Sequence, residues 1–105
     1  MDKFRIGFEE MAWENPKTGV FQKIYADGHK QIRLLRFEYG FVEEDWCRKG
    51  HIGYVLNGSM TINFNGTHKS FGKGDGLWIE AGEGHQHKVI MEKDGFVELV
   101  LFEEG

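Results

Sequence analysis

Two short segments hold most of the side chains in this chain that can do chemistry. The first, Cys47-Arg48-Lys49-Gly50-His51-Ile52-Gly53-Tyr54-Val55-Leu56-Asn57-Gly58, carries a thiol and an imidazole. The second, Gly74-Asp75-Gly76-Leu77-Trp78-Ile79-Glu80-Ala81-Gly82-Glu83-Gly84-His85-Gln86-His87, carries two imidazoles. Each sets a histidine at the end of a predicted strand beside a glycine-rich turn. Thiolate, neutral imidazole and carboxylate all bind first-row transition metals, and a metal with an open position polarises a substrate oxygen or activates water. Asp45, Cys47 and His51 are all odd-numbered, as are His85 and His87. Odd positions of one extended strand share a face, so each set could point into one interior if no bulge intervenes.

The elements that must position these groups read as strands. Val20 to Tyr25 is a predicted strand, Asp27-Gly28 a tight turn, and Ile32 to Tyr39 a second strand. In that second strand Ile32 and Leu34 take one face, and Leu35, Phe37 and Tyr39 the other. His51 to Leu56 is a third strand, followed by Asn57-Gly58 as a type I′ hairpin turn. Met60, Ile62 and Phe64 then alternate with polar residues, the period of a half-buried strand. Turns at Asn65-Gly66, Gly72 to Asp75 and Lys93 to Gly95 separate strands at Thr67 to Phe71, Leu77 to Ile79, His85 to Met91 and Phe96 to Phe102. No segment sustains a helical period. The spacing predicts an all-β barrel or sandwich. Residues 1–19 read as an N-terminal arm with one turn at Asn15-Pro16-Lys17-Thr18-Gly19. Its Phe4, Ile6, Phe8, Met11 and Trp13 are expected to pack on the chain's own barrel or to swap onto a partner.

Composition narrows the function classes. A chain of 105 residues is one domain, an arm at 1–19 and a barrel at 20–105. A net charge of −4 argues against a nucleic-acid partner, which calls for a basic face. No apolar run nears the ~20 residues of a membrane span, and Met1 to Arg5 lacks the apolar core of a signal peptide. The single cysteine forms no intrachain disulfide, which fits a reducing, cytoplasmic setting.

In its glycines and strand spacings the chain resembles the cupin superfamily of small jelly-roll barrels, over about residues 30–102. The first motif of that family runs Gly, His-x-His, Glu, Gly; here His51 stands at the Glu and Gly58 closes the motif. The shorter of the two family gaps puts Cys47 and Asp45 at the paired histidines. The longer gap puts Trp46 and Glu44 there, and Trp cannot ligate. The second motif runs Gly, Pro-x-Gly, His, Asn; here Gly74, Gly82 and His85 match, Glu80 replaces the Pro and Val89 the Asn.

The resemblance implies a cupin-type jelly-roll β-barrel that binds a small molecule in its interior. It implies a divalent transition metal (Zn, Fe, Ni or Cu) held by His51 and His85, with Cys47, Asp45 or His87 completing or tuning the site. The implied chemistry is metal-dependent oxygenation, isomerisation or a lyase reaction. A metal-free binding or sensor module is the alternative, favoured by the altered ligand positions. A third reading is a barrel packed shut in an assembly protein, and exposed edge strands favour a homodimer.

Each residue also has a plainer reading. His51 and His85 could be hydrogen-bonded interior histidines, and Cys47 a small buried hydrophobe. Asp45 could belong to a solvated acidic loop with Glu43 and Glu44. His87 is a ligand, a support for one, or a polar pocket wall. His29 and His68 lie in turn-rich polar stretches and are expected to be exposed. Phe37, Tyr39, Trp78 and Phe102 are expected to pack the core and line the pocket at the barrel mouth, with Tyr54 beside them.

Overall fold

A computed structural model describes residues 4–104. The first three residues of the predicted arm and Gly105 lie outside the described residues. Eight strands follow one another: β1 (Glu14–Lys17), β2 (Val20–Asp27), β3 (Lys30–Glu38), β4 (His51–Phe64), β5 (Thr67–Gly72), β6 (Gly76–Ile79), β7 (Lys88–Ile90) and β8 (Phe96–Glu104). All pairings are antiparallel, in the order β1-β2-β3-β8-β4-β5, and β6 and β7 also pair with β4.

Strand β4 makes the sheet curl. Its first half lies between β8 and β6, with His51 opposite Ile79 and Val55 opposite Leu99. Its second half lies between β5 and β7, with Ile62 opposite both Lys69 and Val89. One strand therefore serves two sheets, and the interior forms between them.

The predicted hairpin turn at Asn57-Gly58 is corrected by this strand, which runs straight through both residues. The pairing with β8 instead shifts between Val55 and Asn57, a bulge that leaves Leu56 over. The bulge changes the phase of the strand. His51 and Val55 face inward before it, and Met60 and Ile62 after it. Gly58 sits at φ +74° beside this bulge, and a Cβ there would lie 2.1 Å from the Phe96 carbonyl oxygen. An Asn-Gly pair satisfies a bulge as well as a turn, because both need a positive φ that only glycine takes without cost.

Two further boundaries differ from the sequence reading. Glu14–Lys17 is an edge strand, so the turn contracts to Thr18-Gly19. The predicted strand from His85 shortens to β7, because Glu83–His85 winds into a single 3-10 turn.

Alternation sets the core. Leu35 and Phe37 on β3, Val97, Leu99 and Leu101 on β8, and Leu77 and Ile79 on β6 are buried in one cluster with Val55, Met60 and Ile62. The arm lies on the outside of β2. Lys23 is only 8% exposed there; its ammonium donates to the Phe8 carbonyl at 2.7 Å and sits 4.8 Å from the centre of the Trp13 ring. A buried ammonium needs such partners. Among the described residues no helix is long and apolar enough to cross a membrane.

Candidate metal centre

The loop joining β3 to β4 returns to the barrel by way of Cys47. Cys47 forms an isolated antiparallel bridge with His87, each backbone N–H donating to the other's carbonyl at 2.9 Å. Residues paired this way direct their side chains to the same side. His51, the first residue of β4, comes to that side from a neighbouring strand. Its Nε2 lies 3.5 Å from Cys47 Sγ. One donor atom from each of Cys47, His51 and His87 falls within 4.8 Å of the others. The rings of His51 and His87 meet edge to face, with centroids 5.2 Å apart.

The surroundings fix which nitrogen of His87 is free and bias that of His51. His87 is 3% exposed, and its Nδ1 is 3.0 Å from the His85 carbonyl oxygen. A carbonyl only accepts, so Nδ1 carries the proton and Nε2 is left with its lone pair. His51 Nδ1 faces Glu103 Oε2 at 3.5 Å, a charge contact and not a hydrogen bond, and among the described residues this buried nitrogen has no hydrogen-bond partner. The carboxylate favours a proton on that nitrogen too, which frees Nε2 toward Cys47. Backing by a carboxylate and a carbonyl is the usual support of metal-bound histidines.

Glu103 is itself held. Arg33 grips both carboxylate oxygens, with Nε donating to Oε1 at 2.9 Å and Nη2 to Oε2 at 3.0 Å, and Gln31 Nε2 donates to Oε1 at 2.9 Å. With His51 as the largest influence, then Gln31 and Arg33, these contacts lower the Glu103 carboxyl from 4.5 to about 2 despite its burial. It is a carboxylate at any neutral pH. Glu43 acts on the backbone instead. Its Oε1 accepts the Val89 N–H at 2.7 Å and ties the β3–β4 loop to β7.

The three donors border a cavity of about 340 Å³ inside the barrel. Leu35, Phe37, Met60, Leu99 and Leu101 give it apolar walls, and Lys17 and Lys49 contribute charge.

The other predicted site residues fall elsewhere. His85 is exposed in its 3-10 turn, where Nε2 lies 3.9 Å from Glu80 Oε2; only its backbone carbonyl serves the centre. The face it was expected to share with His87 does not exist, because the chain is not extended at that point. Asp45 is exposed in the β3–β4 loop, outside any strand, so alternation does not aim it inward. Of the four predicted pocket aromatics, Phe37 alone lines the interior cavity. Trp78 and Phe102 are out of phase with Leu77 and Leu101 and face outward, and Tyr39 lies beyond the end of β3. Sequence reasoning missed Glu103, Arg33 and Gln31. Their signal was phase: each sits on the inward alternation of a strand that is otherwise apolar on that side.

No family model and no curated protein matches the chain by sequence. Solved structures match it by shape. The polyketide cyclase RemF from Streptomyces resistomycificus superposes with a TM-score of 0.82 at 16% identity, covering 99% of this chain and 80% of its own. A Streptomyces PAC13 variant with uridine gives 0.72 at 20% identity, covering 99% and 83%. A cupin 2 conserved barrel domain protein from Salinispora arenicola gives 0.69 at 12% identity, covering 100% and 89%. The fold of this chain is that of the cupin barrels.

Proposed function

We propose that the chain binds a small organic molecule inside its barrel, beside a divalent transition metal held by Cys47, His51 and His87. The observation that carries this reading is the convergence of one thiol and two imidazoles whose other ring nitrogens are both turned toward acceptors. The spacing fits such an ion. Bonds of ~2.3 Å to sulfur and ~2.0 Å to nitrogen at a tetrahedral centre set those two atoms about 3.5 Å apart. Cys47 Sγ and His51 Nε2 are separated by 3.5 Å. A soft thiolate with two imidazoles suits zinc, and also iron, nickel or copper.

Within that site Glu103 keeps the proton of His51 on Nδ1, and the His85 carbonyl keeps that of His87 on Nδ1. Arg33 and Gln31 hold Glu103 in place. The apolar walls exclude water from the bound molecule, and a volume of about 340 Å³ lies in the range of small-molecule sites. A bound metal supplies Lewis-acid polarisation of a ligand oxygen. A polyketide cyclase and a protein with bound uridine among the shape neighbours support a small organic ligand.

The test is cobalt substitution. Loading with Co²⁺ is expected to produce a thiolate-to-metal absorption band that disappears in Cys47→Ser. Stoichiometric binding with no such band in the wild type rejects this ligand set. A second reading, a metal-free binding module, draws on the placement of Asp45 and His85 outside the cluster, which leaves three donors. It predicts thermal stabilisation by an organic ligand in fully chelated protein.

A further inference from the structure

His51 and Glu103 stand at one end of the interior cavity, opposite Ile79 and Gln31. From Gln31 the cavity follows the inward face of β3 to Phe37, ~20 Å away at about 3.3 Å per residue. Lys17 borders that far end. It pairs with Val20, which pairs in turn with Phe37. The Lys17 ammonium lies 5.1 Å from the centre of the Phe41 ring, and that ring stacks on Phe37 with centroids 4.6 Å apart. Val20, Phe37 and Phe41 are buried, whereas Lys17 is exposed. The ammonium therefore marks the mouth of an apolar end, and the aromatic face beneath it holds it there.

The other polar groups of the cavity already have partners. Gln31 and Arg33 donate to Glu103, and Glu43 accepts the Val89 N–H. Among the described residues no ion pair reaches Lys17 or Lys49, the second lysine on the cavity wall. Lys17, Lys49 and Arg33 against Glu43 and Glu103 leave this cavity an excess of one positive charge, in a chain of net −4. A divalent ion with one thiolate would add another. An ammonium offers three N–H donors and accepts nothing, so what this lining lacks is an anionic acceptor.

We propose that the molecule bound in this barrel is an apolar organic acid whose carboxylate is held by Lys17. Its body lies along Leu35 and Leu99, which face each other across β3 and β8, and points toward the metal centre. The proposal rests on the reading of this cavity as a small-molecule site. Lys17 is the one charged group beside Val20, Phe37 and Phe41, so it sets which end of the ligand faces the mouth. A phosphate group calls for several converging donors, such as an Arg fork or successive backbone N–H groups. This end supplies one ammonium, and Arg33 is engaged with Glu103. A single carboxylate on an apolar body matches both the charge and the walls.

Titration calorimetry of the whole chain with unbranched carboxylates from butanoate to decanoate, each compared with its primary amide, tests this. At the best-binding length the acid is expected to bind at least about 10-fold more tightly than the amide, the worth of a hydrogen bond between charged groups. Lys17→Met is expected to abolish that preference while amide binding stays unchanged, and Lys17→Arg to keep it. Lys17 is exposed on an edge strand, so neither variant should disturb the fold, and the comparison of acid with amide in the wild type needs no variant. Zinc-loaded and chelated protein are expected to show the same preference, because Lys17 lies at the end away from the metal donors. A preference that survives Lys17→Met, or that is lost with the metal, puts the carboxylate elsewhere and overturns the proposal. An alkyl phosphate that binds more tightly than the acid of equal length also overturns it. Acid and amide bound alike overturn the acid and leave the interior site standing. No binding of any probe at about 10 mM overturns both.

Discussion

Cys47 and His87 sit opposite one another in an antiparallel bridge, joined by two backbone hydrogen bonds of 2.9 Å. The bridge fixes a thiol and an imidazole on one side of the chain before any metal arrives. A donor pair placed by backbone pairing loses little conformational freedom when it binds. Replacing either side chain should therefore remove affinity without disturbing the fold. Cys47→Ser and His87→Ala are each expected to weaken Zn²⁺ binding by at least about 100-fold, read by competition with a chromophoric chelator. Unchanged affinity in both variants would mean that the bridge is only structural.

His85 offers the opposite prediction. Its ring is exposed and only its carbonyl reaches the centre. His85→Ala keeps that carbonyl, so zinc affinity should stay within about two-fold of wild type, well below the effect of losing a supporting group. A loss as large as that of His87→Ala would place the His85 ring among the ligands.

Glu103 supports His51 at one remove. Glu103→Gln keeps the size but removes the charge that holds the His51 proton on Nδ1. Metal affinity should fall roughly 10- to 100-fold, the usual cost of losing such a support. Glu103→Asp draws the carboxylate back from the ring and is expected to fall between the two. Equal affinity for all three proteins would separate Glu103 from the site.

The same carboxylate makes the metal-free fold sensitive to acid. Its folded value is about 2 against 4.5 for the free group. A lowered folded value gives stability that is fully present above pH ~4.5 and is lost as pH falls from there toward 2. Allowing for solvent screening, the contribution is about 1–2 kcal/mol. Urea unfolding of the chelated protein across that window should show this loss, and Glu103→Gln should flatten it. A variant with the wild-type slope would assign the acid sensitivity to other groups.

Gly53 tests the packing of β4 on β8. A Cβ at that position would lie 2.3 Å from the Val100 carbonyl oxygen and 2.7 Å from Leu101 Cδ2. The first of these is backbone and cannot turn aside. Gly53→Ala is expected to cost about 3 kcal/mol and lower Tm by about 15 °C, read by calorimetry. A near-neutral result would mean that the two strands separate more easily than their pairing suggests.

The fold was legible because its signals are local. Glycine-rich turns and period-two strands such as Met60 to Phe64 identify an all-β barrel or sandwich without any knowledge of its partners, and the resemblance to the cupin motifs chooses the barrel. The site was legible only in part. Cys47, His51 and His87 were among the candidates, but alternation placed His85 and Asp45 beside them on the assumption of extended chain. A 3-10 turn at His85 and an irregular loop at Asp45 break that assumption. The bulge at Leu56 shows the same limit, since Asn57-Gly58 fits a turn and a bulge equally and long-range pairing with β8 decides between them. Glu103 was hidden for another reason. Its partners Arg33 and His51 lie far away in sequence and meet it only once β3, β8 and β4 are side by side.

Whether a metal sits between Cys47, His51 and His87 is read directly by X-ray absorption at the zinc edge of stoichiometrically loaded protein. One sulfur at ~2.3 Å with nitrogen scatterers at ~2.0–2.1 Å is the predicted coordination, and the sulfur should vanish in Cys47→Ser. Nitrogen and oxygen neighbours alone in the wild type, or a protein that retains no zinc, would contradict it.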